Sequence, residues 1–286
     1  MKSHHYNSQV YLRQFTNPKA KNELWEYNLT NATMKRSSPQ DCGCEDYYNS
    51  VALEGGGRDD ETIEKSFHPL ENDLPKLFEA IRNHQPMTDE LWNLLIAFAA
   101  IQEARCPTTV HSIDNFFGEV YQAGNEMMNR ASVGLKKKFA EQMKPSQGSA
   151  LCLSLEGIVT NVNFLTQIKW GFASAPNGKF LFSSDRPMCR WVPPEKRNIY
   201  SGGLTDRDAE ITFPLSRRIC VCGHWTQRWP KIYNEISADV VDTINRRTVQ
   251  NARNFVYGPT MDIQILELVQ TKAKVGRDTC KRDETD

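Results

Sequence analysis

Apolar positions in the first half of the chain recur mainly at helical spacing. Six apolar residues recur every three or four positions and predict one amphipathic helix: Ile63, Phe67, Leu70, Leu74, Leu77 and Ile81. Pro69 and Pro75 fall inside this stretch, so we expect them to kink or divide the helix. Thr88 is a suitable N-cap for a second helix over residues 91–104. That helix is apolar nearly all round, which predicts a position at the centre of the core.

Strand signals dominate the second half. Residues 168–173 and 179–182 flank the turn sequence Pro176-Asn177-Gly178 and predict a hairpin. Residues 211–215 and 219–222 predict a second pair of strands.

The C-terminal region combines signals for a helix, a strand and a charged tail. Ser237 is suited to cap a helix whose apolar positions continue to Phe255, before the stop signal Gly258-Pro259. Residues 261–269 predict a last strand. Residues 271–286 are charged enough to predict a disordered tail.

The order of these elements predicts an α+β fold. A mostly helical N-terminal half would pack with an antiparallel or mixed sheet from the C-terminal half. Residues 24–29 and 33–37 would add a short N-terminal hairpin. The chain has 286 residues, which suits one large domain or two closely joined ones. We expect residues 1–270 to form a single α+β domain, followed by the tail at residues 271–286.

The charge balance and the apolar runs limit the classes of function. Lys+Arg and Asp+Glu both number 35, so the formal net charge is zero. This argues against a protein that coats nucleic acid through bulk charge, but it leaves room for a local basic pocket. The longest apolar run, residues 94–101, is far shorter than the ~20 residues of a membrane span, and the N-terminus is polar. We therefore expect a cytoplasmic protein with reduced cysteines and no membrane partner.

Two adjacent histidines open the chain as His4-His5-Tyr6. A histidine can act as general base, proton donor or metal ligand. Adjacent side chains of an extended segment point to opposite sides, so only one of the two would face a given site. The alternatives are satisfied surface histidines or the remnant of a purification tag.

Asp185 follows a predicted strand, beside the hydroxyls of Ser183 and Ser184. A carboxylate in this position suits base chemistry, metal ligation or ribose binding. Pro187 favours an extended conformation at Arg186, so no helix continues through this segment. The alternative is an Asx turn that closes the strand.

Two further polar pairs lie on predicted helices. Gln102 and Arg105 share one face at the end of the core helix. Arg105 can bind phosphate or carboxylate through two N–H groups, or it can pair with a structural acid. Glu64 and Glu71 also share a helix face, where they would form a carboxylate pair if buried and a solvated face if exposed.

The cysteines raise the hypothesis of a zinc site. Cys42-x-Cys44 and Cys220-x-Cys222, together with His224, have the ligand types that zinc prefers. The alternative is that Cys220 and Cys222 simply pack on one face of a strand.

Several segments together resemble a bacterial family catalogued as domain of unknown function 4238. In chain order they are His4-His5-Tyr6, Tyr11 to Phe15, Trp25 to Tyr27, Cys42 to Tyr48, Gln102-x-x-Arg105-x-Pro107, Ser184 to Pro187 and Phe213 to Ser216. Asn7-Ser8 stands where Val-Pro is usual in the family. The resemblance implies no particular reaction, but it implies that the His, Gln/Arg and Asp segments belong to one site.

The sequence therefore supports two main hypotheses of function. The first is a phosphodiester hydrolase, nuclease-like, acting on a nucleotide or short nucleic acid with a divalent metal ion as a candidate cofactor. Its predicted catalytic residues are His4, His5, Glu71 and Asp185. Its predicted substrate-binding residues are Arg13, Gln102, Arg105 and Arg186. The alternative is a non-catalytic interaction or ligand-sensing module of a bacterial defence or toxin–antitoxin system, and a third hypothesis is a zinc-stabilised structural domain.

Overall fold

The computed structural model describes residues 2–20, 22–128, 148–198 and 201–283, together with residues 135, 137 and 146. The helices are α1 Gln9–Leu12, α2 Thr62–Arg82, α3 Asp89–Ala104, α4 Pro107–Met127, α5 Ser149–Glu156, α6 Ile158–Leu165, α7 Ala238–Asn251 and α8 Ile263–Asp283. The strands are β1 Ser3–His5, β2 Leu24–Asn28, β3 Thr33–Ser37, β4 Cys44–Asp46, β5 Val51–Ala52, β6 Arg58–Asp59, β7 Lys169–Ser174, β8 Ser183–Ser184, β9 Cys189–Trp191, β10 Glu210–Pro214, β11 Ile219–His224, β12 Tyr233–Glu235 and β13 Phe255–Gly258.

The helices of the first half form where the apolar spacing predicts them. Helix α2 is continuous, so Pro69 and Pro75 do not divide it. Both prolines lie on the exposed side, while the apolar stripe that includes Leu74 and Leu77 is buried and holds the helix against the core. The Thr88 hydroxyl accepts a hydrogen bond from the N–H of Leu91, which confirms the predicted cap of α3.

Two sheets are built from strands that are far apart in sequence. The five-stranded sheet has the order β12-β7-β11-β10-β9, with a parallel pair between β12 and β7 and antiparallel pairs elsewhere, so it is mixed. The four-stranded sheet has the order β3-β2-β13-β8 and joins the predicted N-terminal hairpin to a C-terminal strand. These elements confirm the predicted α+β fold.

The predicted hairpin between residues 168–173 and 179–182 is wrong. Strand β7 pairs instead with β11 on one side and β12 on the other. The backbone N–H of Leu181 donates to the carbonyl of Arg217 at 3.0 Å, and the chain then continues into β8 of the other sheet. Both sides of β7 are therefore occupied by strands from later in the chain.

The C-terminal predictions also need correction. The helix that Ser237 caps ends at Asn251, and residues 255–258 form β13 rather than its last turn. The predicted strand over residues 261–269 is wrong, because α8 begins at Ile263 and continues through residues 271–283, where a disordered tail was predicted.

Packing explains why the last segment is helical. Ile265, Val269 and Ala273 recur every four residues and are buried, which suits one face of a helix. The ammonium group of Lys272 donates to main-chain carbonyls at the end of α7, at 3.1 Å from Val249 and 2.8 Å from Gln250. Helix α8 is thereby attached to α7.

The largest apolar cluster lies between α2, α3 and the five-stranded sheet. Phe98 of α3 stacks on Phe213 of β10 with ring centroids 5.5 Å apart. The buried hydroxyl of Tyr11 lies 2.6 Å from the Ser183 hydroxyl and donates to the carbonyl of Pro214 at 2.7 Å. Helix α1 is thus fixed to both sheets. Within the described ranges, no helix combines the length and apolar character needed to cross a membrane.

Candidate functional site

The N-terminal segment lies against the end of α3. Strand β1 pairs antiparallel with β4, and the side-chain amide of Gln102 donates to the carbonyl of Tyr6 at 2.8 Å. Helix α3 is thereby connected to the residues that follow β1. We use the term motif cluster for His4, His5, Asn49, Gln102 and Arg105, which lie on these contacting segments.

The two histidines occupy different environments, as the extended backbone predicts. His4 is buried, and its Nδ1 accepts a hydrogen bond from the N–H of Asn49 at 3.0 Å. In the neutral ring the proton is then on Nε2. His5 Nε2 lies 3.1 Å from the carbonyl of Gln40, which leaves Nδ1 as the acceptor of the neutral ring. Burial lowers the pKa of His5, while the Gln40 carbonyl and the Glu64 carboxylate oppose the shift.

Arg105 is a buried cation with a carboxylate partner. Its side chain is 2% exposed, and Nη2 lies 3.1 Å from Oε1 of Glu71. Its guanidinium also lies over the ring of Phe67, 4.8 Å from the centroid. Glu64, on the same helix as Glu71, accepts a hydrogen bond from the side-chain amide of Asn49. Both carboxylates of α2 therefore face the motif cluster rather than forming an exposed face.

Several buried polar atoms of this region have no hydrogen-bond partner among the described residues. They are His4 Nε2, Asn49 Oδ1, Ser50 Oγ, Gln102 Oε1 and Arg105 Nε. Buried polar groups are nearly always paired, and each unpaired one costs about 1–3 kcal/mol. The set contains donors and acceptors, and each of these atoms is enclosed by protein, with almost no accessible surface.

The Asp185 carboxylate binds main-chain N–H groups. Oδ1 accepts from Arg253 at 2.8 Å, and Oδ2 accepts from Asn254 at 2.5 Å and from Phe255 at 3.1 Å. Burial raises the pKa of Asp185, and the three N–H donors oppose this shift. The carboxylate holds the segment that leads into β13. Its role as base or metal ligand stays a prediction.

The structure brings together five of the eight predicted site residues: His4, His5, Glu71, Gln102 and Arg105. Asp185 is connected to them through Asn7, whose side-chain amide donates to the Ser184 carbonyl at 2.8 Å. Arg186 lies beside α7, where its carbonyl accepts from Asn251 at 2.8 Å. Arg13 is exposed and lines a cavity to which no residue of the motif cluster contributes.

The cysteines do not assemble a zinc site. In the part of the chain that the structure describes, no group of three or more His, Cys, Asp or Glu side chains is arranged to hold a metal ion. The thiol of Cys42 donates to a carboxylate oxygen of Glu26 at 3.2 Å, whereas the Sγ atoms of Cys220 and Cys222 lie 3.8 Å apart on β11. The alternative, that the second pair packs on one strand face, describes the structure, and the zinc hypothesis is wrong for these residues.

A second candidate site was not predicted from the sequence. A cavity of about 720 Å³ is lined by residues of the N-terminal segment, the end of α2 and the connections around β7 and β11. It contains four arginines, and we call it the arginine pocket: Arg13, Arg82, Arg217 and Arg218. Arg217 Nη1 donates to the carbonyl of Thr16 at 3.1 Å, and Arg218 Nη1 donates to the carbonyl of Pro176 at 2.9 Å. These contacts hold the two guanidinium groups in place.

The arginine pocket is strongly positive. None of its four arginines forms an ion pair with a carboxylate of the described residues, although Glu235 also lines the pocket. Burial lowers the pKa of Arg217, and the nearby charges of Arg218 and Arg82 lower it further. The sequence places Arg217 next to Arg218, but nothing in its local pattern indicates that Arg13 and Arg82 join them.

Comparison with known proteins identifies the family. A family model described as "Protein of unknown function (DUF4238)" matches residues 3–262. No curated protein and no solved structure matches the chain. The match includes the His-His-Tyr, Gln-x-x-Arg and Ser-Asp segments that meet around α3 and β8. The chain therefore belongs to the DUF4238 family.

Proposed function

We propose that the protein binds a phosphate-bearing ligand, such as a nucleotide or a short nucleic acid, in the arginine pocket. The observation that carries this proposal is that four arginines line one cavity and none of them pairs with a carboxylate of the described residues. Most arginines so close together would be paired, because their like charges repel. An anionic ligand would relieve that repulsion.

The geometry of the guanidinium groups suits phosphate. A guanidinium has five N–H donors in a planar fork that matches two phosphate oxygens. Arg217 and Arg218 use some of these donors on main-chain carbonyls and keep others for a ligand. Arg82 donates to the side chain of Gln14 at 2.9 Å. The groups are therefore held before a ligand arrives, which lowers the entropy cost of binding.

The binding proposal is tested by calorimetric titration with adenosine 5′-triphosphate, using adenosine as the uncharged comparison. We expect the triphosphate to bind, adenosine to bind far more weakly, and the affinity for the triphosphate to fall as salt increases. Arg82→Gln should weaken triphosphate binding roughly tenfold, because one guanidinium–phosphate contact is lost.

Arg36→Gln is the matched control. Arg36 is an exposed arginine on β3, over the ring of Trp25 and outside the arginine pocket, so its substitution should leave binding unchanged. Equal binding of adenosine and the triphosphate, or equal effects of the two substitutions, would contradict the proposal.

A second candidate function is phosphodiester hydrolysis at the motif cluster. The unpaired buried polar atoms around His4, Gln102 and Arg105 favour it, because an unsatisfied buried group in a native protein calls for an explanation, and a catalytic role is one such explanation. The Nδ1 of His5 would accept the proton of the water that attacks phosphorus, and the ester oxygen that leaves would take a proton from solvent. His4 is buried on the opposite side of β1 and would hold the strand in place through its hydrogen bond with Asn49. Glu71 would orient Arg105, whose remaining donors would bind the phosphate.

His5→Gln tests the hydrolase candidate, because glutamine keeps a donor for the Gln40 carbonyl but is not a base. We expect hydrolysis of bis(4-nitrophenyl) phosphate or a short RNA to fall at least ~100-fold. Because burial lowers the pKa of His5, the wild-type rate should persist below pH 6.5 before the base is protonated. His111→Gln, on an exposed face of α4, should have no effect. A wild-type protein without activity, or a fully active His5→Gln variant, excludes this candidate.

A further inference from the structure

A cavity of about 590 Å³ lies at the edge of the five-stranded sheet, beside the beginning of β12. Three tryptophans line it, and we call it the tryptophan pocket: Trp92, Trp170 and Trp229. They come from α3, from β7 and from the loop between β11 and β12. Neither the motif cluster nor the arginine pocket contributes to its lining.

Each tryptophan is held by a different contact. Trp92 stacks on Phe172 with ring centroids 5.8 Å apart, and Nε1 of Trp170 donates to the carbonyl of Leu165 at 2.9 Å. Trp229 lies directly over Gly171, where an added Cβ would be 2.3 Å from its Cγ. Only glycine at this position allows the ring to approach the strand so closely. Gly171 and Trp170 are consecutive on β7, so Trp229 lies on the opposite face of this strand from Trp170. Trp92 and Trp170 thus form the aromatic wall on the α3 side before any ligand binds.

The polar groups at the rim are cationic. Lys169, Arg228 and Lys231 line the cavity, and no carboxylate does so in the described chain. The three cations are exposed and form no ion pair with the described residues. A ligand in this cavity therefore meets a positive rim above aromatic walls.

We propose that the tryptophan pocket is a second binding site, for a planar aromatic ligand that carries a negative charge. The rings of Trp92 and Trp170 would stack on the ligand ring, and aromatic pairs contribute beyond their buried area. The anionic group would be attracted by the cations at the rim. This site is additional to the phosphate site proposed above.

An aromatic column separates the tryptophan pocket from the arginine pocket. His84, which lines the arginine pocket, stacks on Tyr233 at 4.6 Å, and Tyr233 stacks on Phe172 at 4.9 Å. Phe172 then stacks on Trp92 of the tryptophan pocket. The two cavities thus lie on either side of packed rings, so substitutions in one can be compared with substitutions in the other.

Calorimetric titration of the full chain with indole-3-acetate and indole-3-acetamide tests the proposal. The two probes share a ring, but only the first is an anion. We expect indole-3-acetate to bind with a Kd below about 1 mM and the amide to bind at least tenfold more weakly. Trp92→Leu removes one aromatic ring of the cavity, so it should weaken indole-3-acetate about fivefold. Lys231→Gln removes a cation of the rim and should also weaken it.

Matched controls separate the site from general effects. Trp25→Leu on β2 and Lys274→Gln on α8 lie outside the pocket and should leave binding unchanged. Arg82→Gln should also leave it unchanged, and a loss of binding there would assign the anion to the arginine pocket and overturn the proposal. Equal affinity for acid and amide, no binding of either, or unchanged binding in Lys231→Gln overturns it as well. Lys231 is exposed, so this last variant decides the matter if Trp92→Leu does not fold.

Discussion

Asp185 shows how much a single buried carboxylate can organise. Its two oxygens accept three main-chain hydrogen bonds from residues 253–255, where the chain leaves α7 and begins β13. Hydrogen bonds to a charged group contribute about 1.5–3 kcal/mol each, more than those between neutral groups. The same side chain suggested catalysis when only the sequence of the Ser-Asp segment was considered. These hydrogen bonds give Asp185 a structural role that does not require any catalytic activity.

Asp185→Asn and Asp185→Ala test this task. Asparagine keeps one acceptor oxygen but turns an N–H group toward a main-chain donor, so we expect a loss of about 2 kcal/mol in the free energy of unfolding. Alanine leaves all three donors unpaired and should cost more. Asp73→Asn, on the exposed side of α2, is the control. Urea unfolding measures each value, and unchanged stability in both Asp185 variants would point back to a purely catalytic role.

At the scale of elements, the attachment of α8 to α7 decides the conformation of the C-terminal segment. The apolar residues between positions 263 and 269 are compatible with a strand as well as a helix. The carbonyls at the end of α7 attract a cation because they have no partner within their own helix. In α8, Lys272 donates to two of these carbonyls. This tertiary contact therefore favours the helix over the strand.

Lys272→Met should weaken this attachment. Methionine keeps the apolar part of the side chain but leaves the α7 carbonyls without their donor, so we expect a loss of about 1–2 kcal/mol in the free energy of unfolding. Lys274→Met, an exposed position two residues further along the same helix, should change it little. Thermal unfolding followed by circular dichroism compares the two variants. Equal stability of both would show that the lysine contacts do not hold α8.

At the scale of the whole molecule, charge is distributed unevenly although the total is zero. Carboxylates pair with the buried cations of the interior, as Glu71 does with Arg105 and Glu103 with Arg190. The arginine pocket and the rim of the tryptophan pocket contain cations without such partners among the described residues. Positive charge that is not needed for internal pairing thus lies at the two cavities, which is the arrangement expected of sites for anions.

The sequence by itself determined the features that depend on neighbours within one or two helical turns. The apolar period of α2, the Thr88 cap of α3 and the turn to a strand-rich second half are local, and they were sufficient to predict the α+β class. The motif segments were also sufficient to predict the family, because each motif is a short run of consecutive residues.

Tertiary structure alone decided the features that join distant segments. The hydroxyl of Tyr11 meets Ser183, Arg217 meets Thr16, and β13 lies between β2 and β8. Three features depend on such contacts: the choice of helix over strand at residues 263–269, the N–H donors around Asp185, and the grouping of four arginines in one pocket. Spacing along a chain specifies which face of an element a residue occupies, but it does not specify which other element covers that face. The sequence therefore singled out most residues of the motif cluster, whereas only the fold showed which residues share a cavity.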